Sequence, residues 1–301
     1  MIESQESTTA KLCSFARAYH STYAKEKIFD DFLAFDFMGP EQYEKTGQLI
    51  DCNYQESRIE PNFSFHSSQI ADKLNESLMP IPISRIAFAE QKLLSFAKRF
   101  PLCQYVICGA GMDTFIFRND NHKIRVFEID HPDTQRFKKN RIRQLEWIVP
   151  ANVHFVPVDF SKDDMVKALL KAGFDPNLPT FFSVLGVTYY LPLEVFEATV
   201  NKMGSFQNPE NQLVFDFPDG GLPADSARGR ELMRMTAMLG EVMAPGYREE
   251  DVMRMLRRCG FRCQQHLTPE EIEKRYFKDR SDGLHAFENI HFVLAEKEQT
   301  T

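Results

Sequence analysis

Residues 105–118 read YVICGAGMDTFIFR. The apolar run Tyr105-Val106-Ile107-Cys108 breaks at Gly109-Ala110-Gly111, and Asp113 follows two residues later. A short apolar run that ends in residues without bulk lets a ligand approach the backbone closely. In an open α/β sheet that place is the carboxyl end of a strand, where ligands bind. Outward from this stretch, short apolar segments alternate with helical ones. Strands are expected at 104–108, 124–129, 153–158, 180–185 and 212–217, with further strands at 261–266 and 285–295. Helices are expected at 132–147, 162–172, 193–203 and 249–259. This order implies a mostly parallel, doubly wound sheet covered on both faces.

Upstream, the chain reads as a helical lobe over residues 1–100, followed by the α/β domain over 101–301. Leu12, Phe15, Ala16, Tyr19 and Tyr23 recur at helical spacing. Gly39-Pro40 is expected to stop the aromatic stretch FDDFLAFDF, with a loop to about Phe65 and helical character again from Ser67. The Met-rich segment 220–246 reads as an insertion that closes over the site together with the helical lobe.

Two further strand ends carry acids. The second strand closes on VFEID, which puts Glu128 and Asp130 about 20 residues beyond the glycines, the reach of a carboxylate that accepts bonds from ribose hydroxyls. Strand alternation places both on one face, so either suits. The third ends Val158-Asp159-Phe160, where Asp159 suits an adenine amino group and Phe160 the ring face. A dinucleotide fingerprint needs a third glycine at 114, to bring the helix N-terminus against a pyrophosphate. Position 114 is Thr, and Asp113 beside it would repel a diphosphate. An adenosine ligand without phosphate, S-adenosylmethionine, fits better than a nicotinamide cofactor. Asp113 also suits a simple helix cap.

Composition narrows the classes. Of the 301 residues, 43% are hydrophobic and 26% charged, as in ordinary globular proteins, and the net charge of −7 offers nucleic acid or an anionic membrane no basic field. The basic run RFKKNRIR from Arg136 to Arg143 reads as the solvated face of a helix. No apolar stretch approaches the length that spans a bilayer, and the N-terminus lacks a signal-peptide layout, so a cytoplasmic location is expected. The six cysteines follow no disulfide or metal rhythm, and no metal site is expected. The histidines, His131, His154, His266, His285 and His291 among them, read as structural.

Four blocks, ICGAGMDTFIFR, VFEIDHPDTQRFK, FVPVDF and GFDPNLPTFFSVLGVTYYLPLEVF, together resemble the leucine carboxyl methyltransferase family, in its order and spacing. TTAKLCSFARAYH is similar to the N-terminal helix of the bacterial branch. The resemblance implies a class I methyltransferase fold: a Rossmann-like, seven-stranded sheet with its last strand antiparallel. It implies O-methyl transfer from S-adenosylmethionine to a small-molecule carboxylate or hydroxyl. Gly109, Ala110 and Gly111 would form the cofactor loop, Asp130 would hold the ribose, and Asp159 and Phe160 would frame the adenine. Arg85, in ISRIAF, matches the family arginine that grips the methionine carboxylate, a task suited to a two-pronged guanidinium. Tyr190 aligns with a family tyrosine and is a candidate acceptor contact. One departure stands out: the family carries Glu where this chain has Leu185, which keeps a catalytically degenerate binding protein as the rival reading.

Overall fold

In a computed structural model, the structure describes residues 8–52, 75, 78–160, 162–220, 228–230, 232–233 and 243–298. The helices α1 (Thr8–Tyr23), α2 (Ala34–Met38), α3 (Pro40–Cys52) and α4 (Pro80–Ala97) precede the first strand. The α/β part then runs β1 (Cys103–Cys108), α5 (Phe115–Arg118), β2 (Ile124–Asp130), α6 (Pro132–Gln144), β3 (Val153–Pro157), α7 (Met165–Lys171) and β4 (Thr180–Val184). It continues with α8 (Leu193–Gly204), β5 (Gln212–Pro218), α9 (Glu249–Arg258), β6 (Phe261–Leu267), α10 (Pro269–Ile272) and β7 (Ile290–Lys297).

The seven strands form one sheet in the order β3-β2-β1-β4-β5-β7-β6. β1 pairs in parallel with both β2 and β4, and β7 runs antiparallel between β5 and β6. The expected doubly wound, class I methyltransferase sheet is therefore present. The chain reverses its direction of travel across the sheet between β1 and β4, which opens a crevice at their carboxyl ends.

Strand alternation divides the core. Tyr105, Ile107, Val126, Phe181, Val214, Phe292 and Leu294 face the N-terminal helices and share one apolar cluster with Leu12, Phe15, Phe37, Phe88 and Leu93. Val106, Cys108, Phe127, Phe182, Phe215, Phe217 and Val293 face the other way, against Phe196, Val200, Met255 and Leu256 of α8 and α9. The N-terminal lobe thus forms one of the two layers that cover the sheet.

The expected loop after Gly39-Pro40 is corrected. Gly39 caps α2 at φ +80°, and Pro40 then occupies the first turn of α3, where a missing N–H costs nothing. Tyr43, Thr46 and Ile50 bury one stripe of α3, while Lys45 pairs with Glu41 one turn away. Residues 53–65 lie outside the described residues. So do 67–74 and most of the Met-rich segment, 221–227, 231 and 234–242.

The basic run is also only partly a solvated face. Arg136 and Arg143 are exposed, but Lys138 is buried, and Arg141 donates to the carbonyls of Phe37 at 2.6 Å and Asp36 at 3.0 Å, closing the end of α2. The last strand begins at Ile290, five residues later than expected, because Ala286 N–H is taken by Glu273 at 2.7 Å instead of a ladder.

Candidate functional site

The glycine stretch turns back on itself at the end of β1. Gly109 and Gly111 have φ of +74° and +49°, a region that L side chains disfavour. A Cβ on Gly109 would stand 2.6 Å from Val187 Cγ2, so the position is closed to side chains by space as well. Gly109 N–H donates to the Ile129 carbonyl at 2.8 Å, which binds the turn to the end of β2.

At that end Asp130 accepts from Gly111 N–H at 2.5 Å and from His131 N–H at 2.7 Å, one bond per carboxylate oxygen. Burial pushes its carboxyl above the ordinary range, against the downward pull of those two N–H groups. Each oxygen keeps a further lone pair, and the residue is only half-buried. Glu128, its partner in alternation, lies deeper. It is 1% exposed and pairs with Lys138 at 2.7 Å, and burial raises its carboxyl to about 7. Of the two acids, Asp130 stands at the crevice.

Asp113 and Thr114 are taken up by the scaffold. Asp113 Oδ1 accepts from Phe115 N–H at 2.7 Å, capping α5. Its burial favours the neutral form, but Arg17, Arg118 and Lys138 together outweigh that and hold the carboxyl below its usual range. The Thr114 hydroxyl donates to Asp31 and accepts from Arg118 Nε at 2.8 Å. Arg118 clasps Glu90 through two bonds of 3.0 and 2.6 Å, while Arg17 bridges Asp31 and the Met112 carbonyl at 2.9 Å each. A glycine at 114 would break this buried net, so the missing third glycine has a structural cause.

Arg85 reaches from α4 to the end of β4. Its guanidinium lies 3.3 Å from Asp216 Oδ2 and 3.5 Å from Cys13 Sγ, and a Cβ on Gly186 (φ +71°) would collide with it at 2.5 Å. Among the described residues its buried Nε has no hydrogen-bond partner. Asp216, on β5, is fully buried and also accepts from Gly186 N–H at 2.7 Å and from Tyr189 Oη–H at 2.8 Å. Asp216 is the carboxylate that holds the adjoining Gly186 turn, and Leu185 itself packs into the apolar cluster. An acid inside the otherwise apolar strand LVFDFP was the signal available for finding it.

Tyr190 Oη donates to Thr9 Oγ1 at 3.1 Å, and Ala10 Cβ lies 3.4 Å from where a Cβ of Gly111 would stand. The first turns of α1 therefore lie directly over the glycine loop. On the other flank Asp159 Oδ2 stands 3.1 Å from Lys162 Nζ and 3.9 Å from His131 Nε2, with Phe160 half-buried beside it. The structure thus gathers Gly109, Ala110, Gly111 and Asp130 by direct contact, brings Asp159 up to His131, and joins Arg85 to the β4 turn through Asp216. A groove of about 280 Å³ along α6, lined by Pro132, Gln135, Arg136, Lys139, Arg143 and Pro157, contains none of these residues.

Residues 10–204 match the leucine carboxyl methyltransferase family. The chain belongs to that family. Among its relatives, YktD of Bacillus subtilis, named as a candidate S-adenosyl-L-methionine-dependent methyltransferase, is 35% identical over 99% of this chain and 100% of its own length. A protein of the same description from Mycobacterium tuberculosis, Rv0830, is 30% identical over 66% of this chain and 68% of its own. Two crystal structures share the fold: a DUF574-family protein from Streptomyces avermitilis (TM-score 0.53, 13% identity, 84% of this chain and 97% of that one) and a candidate methyltransferase from Thermobifida fusca (TM-score 0.50, 14% identity, 84% and 94%). No helix among the described residues of this leucine carboxyl methyltransferase family member is long and apolar enough to cross a membrane.

Proposed function

We propose that the chain is an S-adenosylmethionine-dependent O-methyltransferase that methylates the carboxylate of a small-molecule acceptor, with a hydroxyl as the alternative nucleophile. The observation that carries this reading is the direct bond between Gly111 and Asp130, which fixes a carboxylate with spare lone pairs beside a loop of small residues. The bound cofactor supplies an activated methyl group on a cationic sulfonium.

The chain's residues bind and align. Asp130 accepts from the ribose hydroxyls, Asp159 from the adenine amino group, and Phe160 packs on the ring. Gly109, Ala110 and Gly111 allow the close approach, and Arg85, held by Asp216, offers its guanidinium to the methionine carboxylate. Tyr190 is the acceptor contact. The helical lobe, 1–100, and the segment 220–246 close over the acceptor, and the α/β domain holds the donor. A carboxylate acceptor is already ionised at neutral pH and needs no base. Tyr189, the buried phenol at this strand end, is pushed far above its usual range by burial and by Asp216, so it supplies none. The scattered free thiols suit a reducing cytoplasm.

The test is a screen of carboxylic acids and phenols with a labelled methyl donor. Base-labile methyl ester is the expected product. Stable ethers from phenols alone would overturn the carboxyl assignment, and cofactor binding without turnover on any acceptor class would favour the degenerate reading that Leu185 raised.

A further inference from the structure

At the same carboxyl edge, on the sheet face opposite Arg85, two histidines meet. His266 Nε2 and His291 Nδ1 are 2.7 Å apart, with the rings nearly coplanar at 18°. Glu249 Oε1 stands 3.4 Å from the other nitrogen of His266, and Asp219 Oδ2 stands 3.9 Å from the other nitrogen of His291. Phe217 stacks on the His291 ring at 5.1 Å and fixes its plane. One ligand atom each from Glu249, His266 and His291 can be chosen within 4.8 Å of one another.

Proton counting shows what this array lacks. Two neutral imidazoles carry two N–H groups. One lies between the rings, which leaves a single N–H for two carboxylates, so one ring nitrogen turns a lone pair toward an anion. A divalent cation removes the conflict by accepting the imidazole lone pairs and balancing the carboxylates. A neutral imidazole is the form that ligates a metal. Mixed imidazole and carboxylate ligands suit a zinc-type ion at about 2.0–2.2 Å from each donor. That geometry needs the two nitrogens to part by only about half an ångström, and Glu249, half-exposed, offers an entry path.

We propose that Glu249, His266 and His291 form a binding site for a divalent transition-metal ion of the zinc type, with Asp219 accepting from the outer N–H of His291. The ligands come from α9, β6 and β7, and the exit of β5 supplies Asp219 behind His291. Asp219 and Glu249 flank the place where the chain leaves the sheet and returns, already paired there by Gly220 N–H to the Tyr247 carbonyl at 2.8 Å and Tyr247 N–H to the Pro218 carbonyl at 2.9 Å. A bound ion ties the two stems of the 220–246 segment to the sheet edge. Its role is structural, and it stands independently of the methyl-transfer reading.

The test uses full-length protein stripped with a chelator, then titrated with zinc against a chromophoric competitor and with cobalt(II) for its visible spectrum. One equivalent is expected to bind, with a rise in the unfolding midpoint. His266→Asn and His291→Asn should each weaken uptake at least about tenfold, while S-adenosylhomocysteine binding, the control for an intact fold, stays unchanged. If either variant fails to fold, Glu249→Gln, on the exposed side, should still lower the affinity several-fold. Equal uptake by wild type and the double histidine variant overturns the proposal. So does a cobalt–thiolate charge-transfer band that vanishes in Cys263→Ser, and so does no uptake at all, the outcome for a pair that merely shares a proton.

Discussion

Asp130 and Glu128 sit two residues apart on one strand and lead separate chemical lives. Period-two alternation places both on one face, but it says nothing of depth, and depth is what separates a rim acid from a buried ion pair. Asp130→Ala is expected to weaken S-adenosylhomocysteine binding by about 1–3 kcal/mol in a calorimetric titration, whereas Glu128→Gln leaves it unchanged. Glu128 should instead govern stability. Its folded-state carboxyl is raised to about 7, so its favourable contribution is complete below about pH 4.5 and is lost as the pH rises to 7. The stability of the wild type relative to Glu128→Gln should therefore fall across that window in thermal melts. Asp216 was the residue the sequence concealed, because its partners, Arg85, Gly186 and Tyr189, lie 131, 30 and 27 positions away. Asp216→Ala strands the Arg85 charge in the interior and is expected to cost about 3–5 kcal/mol in chemical denaturation.

Among the elements, those whose apolar residues alternate or repeat strongly were legible: β1, β2, β4, β5, α6 and α8 fall within a few residues of their expected positions. α3 was not, because the Gly39-Pro40 pair that ends one helix also begins the next, and local composition does not distinguish these roles. α5 carries a sharper lesson. Read alone, Thr114 is a failed glycine. In the fold its hydroxyl links the glycine loop to Asp31 and Arg118. Thr114→Gly completes the dinucleotide fingerprint in letter, yet it is expected to destabilise the protein by about 1–3 kcal/mol and to gain no affinity for NAD, measured by melting and by titration.

At the scale of the molecule, the N-terminal helices and one face of the sheet share a single apolar cluster. Catalysis should carry the same simplicity. With a carboxylate acceptor, kcat/KM is expected to stay flat from about pH 6 to 8, since no base must be deprotonated, and a steep rise over that range would reveal one. The buried net around Arg17 has a consequence in time as well as in space. Arg17 meets Asp31 early, but its second partner, the Met112 carbonyl, lies 95 residues later, and Arg85 waits 131 residues for Asp216. As the chain leaves the ribosome at about 5–20 residues per second, Arg17 has Asp31 at hand but not the Met112 carbonyl, and Arg85 emerges before Asp216 is made. They cannot settle until the glycine loop and then β5 have been made. The helices α1 and α4 are made before the segments that answer them and are among the last parts to become native.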